Sequence, residues 1–245
     1  FYQSQAVNSG VDTTITLSGT TIDPFDLAEV WFAPSGTMAF DESLYSEYQT
    51  KASGAPPFTS IATPSTAGAY YLYVIDAAGN IEEGMTMLTV DNVAPTYTSN
   101  GVRISSNNDS SRPNYPSNGL YAAAGDKISL TLGLSELVAE PSVAFYSGAN
   151  PLNNTPLWMK MGGEVGTPLS SVWQAMIAVD SISDYDGAVT FYVTVTDAAG
   201  NTAPLDQTDT TEGGADDDAA TMTVFVDVTA PSGIADTEFY HIDAV

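Results

Sequence analysis

One phrase occurs twice in this chain. Residues 70–80 read YYLYVIDAAGN and residues 191–201 read FYVTVTDAAGN. Each is followed by another strand-like run and then by Asp-x-x-Ala-Pro, at 91–95 and 227–231. Tyr70, Leu72 and Val74 match Phe191, Val193 and Val195, which predicts inward-facing positions on one face of a strand in both copies. The Asp and Asn of DAAGN can bond their own backbone, and Gly79 and Gly200 allow the positive φ that a tight hairpin needs. Each copy therefore predicts the last hairpin of a small β-sandwich. Pro95 and Pro231 fix φ and push the residue before them into extended geometry, so the exits predict stiff linkers.

The correspondence extends upstream. Adding 113 takes Ile15 to Ile128, Leu17 to Leu130, Val30 to Val143 and Phe32 to Phe145 without a gap. The offset becomes 121 at Asp76 and Asp197, and 136 at Asp91 and Asp227, so the second copy is longer by 8 residues centrally and by 15 near its last hairpin. That hairpin loop, about 202–220, contains Asp206, Asp209, Glu212, Asp216, Asp217 and Asp218 and no basic residue. Alternation marks further strands: Val11, Ile15 and Leu17; Ile128, Leu130, Leu132 and Leu134; Trp173, Ala175, Ile177 and Val179; Met222, Val224, Val226 and Val228. No helical period competes with them. The predicted fold class is all-β, with one sandwich over 1–92, a second over 93–228, and 229–245 opening a further unit or serving as an assembly strand. Fourteen residues after Pro231 cannot bury a core alone.

Charge narrows the function classes. Thirty acidic residues face Lys51, Arg103, Arg112, Lys127 and Lys160, a net charge of −25. Such a chain has no basic patch for phosphates, which excludes a generic nucleic-acid or anionic-membrane binder. It attracts divalent cations instead. Cysteine is absent, so neither disulfides nor thiolate sites hold the fold. No apolar run is long enough to cross a bilayer as a helix. The chain begins at Phe1 rather than Met, as expected of a processed product or a piece of something longer.

The combination of DAAGN with Val-Asp-x-x-Ala-Pro resembles tandem bacterial and archaeal immunoglobulin-like repeats of cell-surface adhesins and surface-layer proteins. The second unit carries the resemblance at 123–145, Trp173, 186–203 and 226–231, the first mainly at 67–80 and 90–95. Residues 36–66 depart from the pattern, as does the long acidic loop. The resemblance implies immunoglobulin-like β-sandwiches joined by short Ala-Pro linkers, and calcium near the junctions. The positions matching such sites are Asp76, Asn80 and Asp91 for one junction and Asp197, Asn201 and Asp227 for the next. A calcium ion wants six to eight oxygens. The alternative for Asp76 and Asp197 is an Asx-turn without metal, and for Asp91 and Asp227 a plain linker surface. Asp216, Asp217 and Asp218 form a second candidate, and Asp180, Asp184 and Asp186 a weaker third that lacks the distal Glu of an EF-hand loop.

Catalysis finds little footing. His241 is the lone histidine, and neither a nucleophile elbow nor a phosphate-cradling glycine loop occurs. Asn108 and Asn153 open Asn-x-Ser/Thr triplets, glycan acceptors if the chain is exported to a glycosylating surface. The expected function is that of a secreted or cell-surface structural protein, non-enzymatic, part of a surface layer, filament or adhesin stalk that self-associates. Phe1–Val7 and Phe239–Val245 are candidates for strand addition to a neighbour. A rival is an adhesin module binding a glycan or protein ligand through Trp31, Trp158, Tyr45, Tyr48 and Tyr185. Another is an accessory domain of a secreted hydrolase.

Overall fold

The computed structural model describes residues 5–17, 27–36, 43, 49–54, 56–108, 120–162, 168–180, 185–206 and 223–230. Among these the chain is all-β, arranged in several sheets, and consistent with β-sandwich architecture. Asp216, Asp217, Asp218, Asp184, Tyr45, Tyr48, His241 and the 239–245 segment lie outside the described residues.

The N-terminal strands are β1 (Gln5–Val7), β2 (Thr14–Thr16), β3 (Leu27–Ala33), β4 (Thr50–Lys51), β5 (Ser60–Ala62), β6 (Gly68–Asp76) and β7 (Ile81–Val90). They form a five-stranded sheet in the order β1-β7-β6-β3-β4 and a two-stranded β2-β5 sheet. Ile15 sits opposite Ile61, and both enter a core with Val7, Val30, Phe32, Tyr70, Leu88 and Val90. Leu72 and Val74 pack on that core partly buried. The other face of the larger sheet is also covered: Trp31 stacks on Tyr73 at 5.5 Å between ring centroids, and both are 1% exposed. Trp31 is therefore no exposed platform for a ligand.

The remaining strands are β8 (Tyr97–Ser106), β9 (Tyr121–Ala122), β10 (Lys127–Val138), β11 (Ser142–Ser147), β12 (Asn150–Pro151), β13 (Leu157–Lys160), β14 (Ser170–Ala178), β15 (Gly187–Thr196), β16 (Thr202–Asp206) and β17 (Phe225–Val226). One sheet runs β13-β14-β10-β8; the other runs β12-β11-β15-β17-β9, with β16 also on β15. Ile128, Leu130, Leu132 and Leu134 from β10 meet Trp173, Ala175 and Ile177 from β14, and Phe191, Val193 and Val195 from β15, in a separate core. Val224 and Val226 complete it. Trp158 lies partly buried, edge-on to Trp173 at 6.2 Å.

Two expectations are corrected. Val11 is 74% exposed, because Asn8 to Val11 form a turn (Val11 N donates to Asn8 O at 3.0 Å) and the strand begins only at Thr14. The 15 extra residues do not lengthen the hairpin loop, and 202–206 is strand rather than loop. In the first copy β7 pairs with β6 from Ile81 through Val90. In the second, β16 covers the turn-proximal half of β15 and β17 the distal half, Gly187 opposite Val226. The insertion interrupts the returning strand. Leu205 anchors the first half in the core, which is why the backbone keeps its pairing there.

Gln5–Val7 also departs from expectation. Its backbone pairs in parallel with β7, Val7 opposite Val90, so it is already part of its own sheet. β9 repeats this arrangement on β17, Ala122 opposite Val226.

Candidate metal centre at the linker

Each DAAGN segment folds as one closed turn. Asp76 Oδ1 accepts from the backbone N–H of Ala78 at 2.9 Å and of Asn80 at 2.8 Å, while its Oδ2 takes the Asn80 side-chain amide at 2.7 Å. Asp197 repeats the pattern with Ala199 at 2.8 Å, Asn201 N–H at 2.9 Å and Asn201 Nδ2 at 2.8 Å. Gly79 and Gly200 have φ of 90° and 87°. An Asx-turn is the local reason for this phrase in both copies. The amide contacts, the Asn80 side chain first, hold the Asp76 carboxyl below the usual carboxylate range.

The two turns differ in surroundings. Asp76 is half-buried and Ala78 and Asn80 are exposed. Asp197, Ala199 and Asn201 are 6%, 7% and 6% exposed. The second turn meets the segment leaving β7: Asn201 Nδ2 donates to the Asp91 carbonyl at 3.0 Å, and Asn8 Nδ2 donates to Asn201 Oδ1. Residues 91–96 are bonded along their length. Asp91 N–H donates to Val7 O at 2.9 Å, Val93 N–H to Asp91 Oδ1 at 3.0 Å, and Thr96 N–H to the Ser135 hydroxyl at 3.0 Å. Asn92 accepts from Ser9 N–H at 2.9 Å and donates to Ser65 O at 2.9 Å.

Glu136 completes the site from the far end of β10. The strand is held beside the turn by the Val138–Asp197 bridge and by Ala139 N–H donating to Thr196 O at 3.1 Å. One carboxylate oxygen from each of Asp91, Glu136 and Asp197 lies within 4.8 Å of the others, and this triad can hold a metal ion. Burial first, then the charges of Asp197 and Asp91, push the Glu136 carboxyl above its ordinary value. At such spacing each ionised pair repels by roughly 1 to 4 kcal/mol, depending on how much water screens it. A bound cation reverses that sign.

The sequence grouped these residues differently. Gly68 lies opposite Val90 and Ile75 opposite Ile81, so the Asp76–Asn80 turn and Asp91 sit at opposite ends of a hairpin about 30 Å long. Asp197 and Asp227 are separated in the same way along β15. The structure instead brings Asp91 of the first copy to Asp197 and Asn201 of the second. Asp227 is exposed, its N–H donating to Ala122 O at 2.9 Å. Asp186 serves the backbone, accepting from Val228 N–H at 2.7 Å. Asn153 is exposed and Asn108 half-buried.

Glu136 escaped the sequence reading because no motif surrounds it. A signal was present: the constant offset of 113 sets Asp23 against Glu136, an acidic residue at both positions. No protein-family model matches the chain, and no curated protein matches it.

Proposed function

We propose that this chain is an extracellular structural protein: two immunoglobulin-like sandwiches, over 1–92 and 93–228, set in series by a short linker. They act as a building block of a surface layer, filament or adhesin stalk. The observation that carries this reading is the linker itself. Asp91 to Thr96 is bonded to strands on both sides, and the buried Asn201 grips its first carbonyl. A junction with that many fixed polar contacts resists bending, whereas a free linker would let the sandwiches swing. A fixed distance between units is then the product the protein supplies.

Calcium is the cation this junction suits. Three carboxylates supply three to six hard oxygen donors and leave room for water, as calcium sites require. Binding replaces mutual repulsion with a shared counterion and ties β7, β10 and the β15 turn together. Electron microscopy of purified material tests the structural role: an ordered lattice or fibre supports it, and dispersed particles at every concentration and calcium level oppose it.

A binding role has its own support in exposed aromatics. Tyr121 and Phe225 are 51% and 40% exposed, with rings 5.9 Å apart, and Tyr192 is 50% exposed against Tyr146. All four belong to the sheet that carries β15. A glycan array with hits that vanish on Tyr192→Ala and Phe225→Ala would favour that reading.

A further inference from the structure

On β15 the core takes Val189, Phe191, Val193 and Val195, so Thr190, Tyr192 and Thr194 stand on the outer face of the sheet. Tyr192 is 50% exposed there, and Tyr146 from β11 meets it at 89° with ring centroids 5.5 Å apart. The two rings, Thr190 and the Gly148–Ala149 turn between β11 and β12 line an open groove of about 490 Å³, a size that small ligands fill. Gly148, at φ of 58°, and Ala149 build one wall without a side chain larger than a methyl, which leaves the ring surfaces open. Thr190 and Tyr192 lie in the middle of β15, which runs from Gly187 to Thr196. The groove therefore sits on a flank of the sheet, away from the strand ends where another unit would join.

Charge sets this face apart. The chain carries 30 acidic residues and a net charge of −25, yet the strands of this sheet hold no Lys or Arg and a single acid, Asp206, opposite Tyr192. An anionic ligand finds no cation on those strands and a strongly negative chain behind them. A cation is better served by Asp91, Glu136 and Asp197. What the face offers is aromatic surface beside hydroxyls, and the Tyr121–Phe225 pair continues it. Phe225 lies opposite Ala188, four residues or about 13 Å along β15 from Tyr192. At about 150–250 Å² per aromatic side chain the four rings leave roughly 300 Å² free. A stable protein pair needs about 800 Å² per side, so the strip suits a narrower ligand.

We propose that this groove binds a neutral polysaccharide of β-linked pyranoses, one sugar ring stacking on Tyr192 while its hydroxyls bond Tyr146 and Thr190. A pyranose with equatorial hydroxyls has two faces of C–H bonds, which pack on an aromatic ring, and a rim of hydroxyls that pairs with side-chain O–H groups. It carries no charge for a −25 chain to repel. The inference rests on the binding role named above, not on the serial arrangement, and adds the surface and the ligand.

The test is native electrophoresis through gels holding hydroxyethylcellulose, glucomannan or mixed-linkage β-glucan, with alginate and polygalacturonate as anionic counterparts. Wild type is retarded by at least one neutral polymer and by neither anionic one. Tyr192→Ala weakens that binding by roughly tenfold or more, whereas Tyr192→Phe, which keeps the ring, stays close to wild type. Ala149→Leu, which fills the groove from its turn, weakens it as Tyr192→Ala does. Both positions are exposed, so the variants melt with wild type and their losses belong to the groove. Equal retardation of Tyr192→Ala and wild type overturns the proposal and moves binding to another surface, leaving the binding role itself intact. Retardation by the anionic polymers alone overturns it by changing the ligand. A wild type that none of the polymers retards overturns it too, and leaves the binding role to a protein ligand; a glycan array without hits would then withdraw the glycan from that role.

Discussion

The side-chain amide of Asn201 donates to the Asp197 carboxylate at 2.8 Å and to the Asp91 carbonyl at 3.0 Å. One buried residue thus closes a local turn and fastens a strand exit 110 residues earlier in the chain. Asn80, its counterpart, makes the first of these contacts and, among the described residues, not the second. Comparing the two isolates what the junction adds.

Asn201→Ala removes two donors and leaves the Asp91 carbonyl and part of the Asp197 carboxylate unsatisfied in a buried place. The expected loss is about 1–3 kcal/mol. Asn80→Ala, in an exposed turn where water replaces the lost bond, costs under about 1 kcal/mol. Urea unfolding of both variants beside wild type measures the difference, and equal losses would deny the junction its role.

Calcium raises the melting temperature. At roughly a hundred times its dissociation constant the gain is about 2.7 kcal/mol, and chelator abolishes it. Glu136→Gln keeps the shape but withdraws a charged ligand, so its response to calcium shrinks to a small part of the wild-type response. Identical melting of wild type in calcium and in chelator contradicts the site.

Without calcium, the pH dependence follows from signs. The Glu136 carboxyl is raised in the folded protein, so its contribution to stability is complete below the ordinary glutamate value and is lost as pH rises through the raised one. Asp76, Glu83 and Asp186 are lowered by hydrogen bonds and behave oppositely: their contributions stand above their ordinary values and are lost as pH falls through the lowered ones. In chelator, Glu136→Gln therefore melts above wild type near neutrality, by about 2–4 °C if the relief is near 1 kcal/mol, and the advantage disappears in mild acid. A variant that melts lower at every pH would contradict this.

Phe191→Ala empties a position that is 0% exposed in the second core and costs about 3–5 kcal/mol. Because Phe191 packs with residues of 97–226 and not with the cluster around Phe32, the loss falls on the second core. Hydrogen exchange of the Tyr70 and Leu88 amides, read beside that of the Leu130 amide, shows whether the first core stays protected.

The strands were legible because alternation is local: Ile128 through Leu134 and Trp173 through Val179 reach the core on the period the residues dictate. The DAAGN turns were legible for the same reason, since Asp76 and Asp197 bond within four residues of themselves. What the sequence hid was distance. Nothing near Asp91 names Asp197 or Glu136 as a neighbour; that meeting depends on which end of β15 faces the segment after β7. Thr202–Asp206 looked like loop because Pro204 and the acidic insertion follow the turn at once, yet pairing with β15 and burial of Leu205 prevailed. Val11 looked apolar enough for a strand, but the Asn8 turn claims it first.

The stiffness of the junction is open to a distance measurement between spin labels, since the chain has no cysteine of its own. Met85 is 100% exposed on β7 and Leu157 is 67% exposed on β13, so cysteines placed there can carry labels without disturbing either core. Pulsed electron resonance on that pair should give one narrow distance distribution in calcium, broadened by Asn201→Ala together with Glu136→Gln. A broad distribution in the unaltered junction, unchanged by calcium or by those substitutions, would contradict the account.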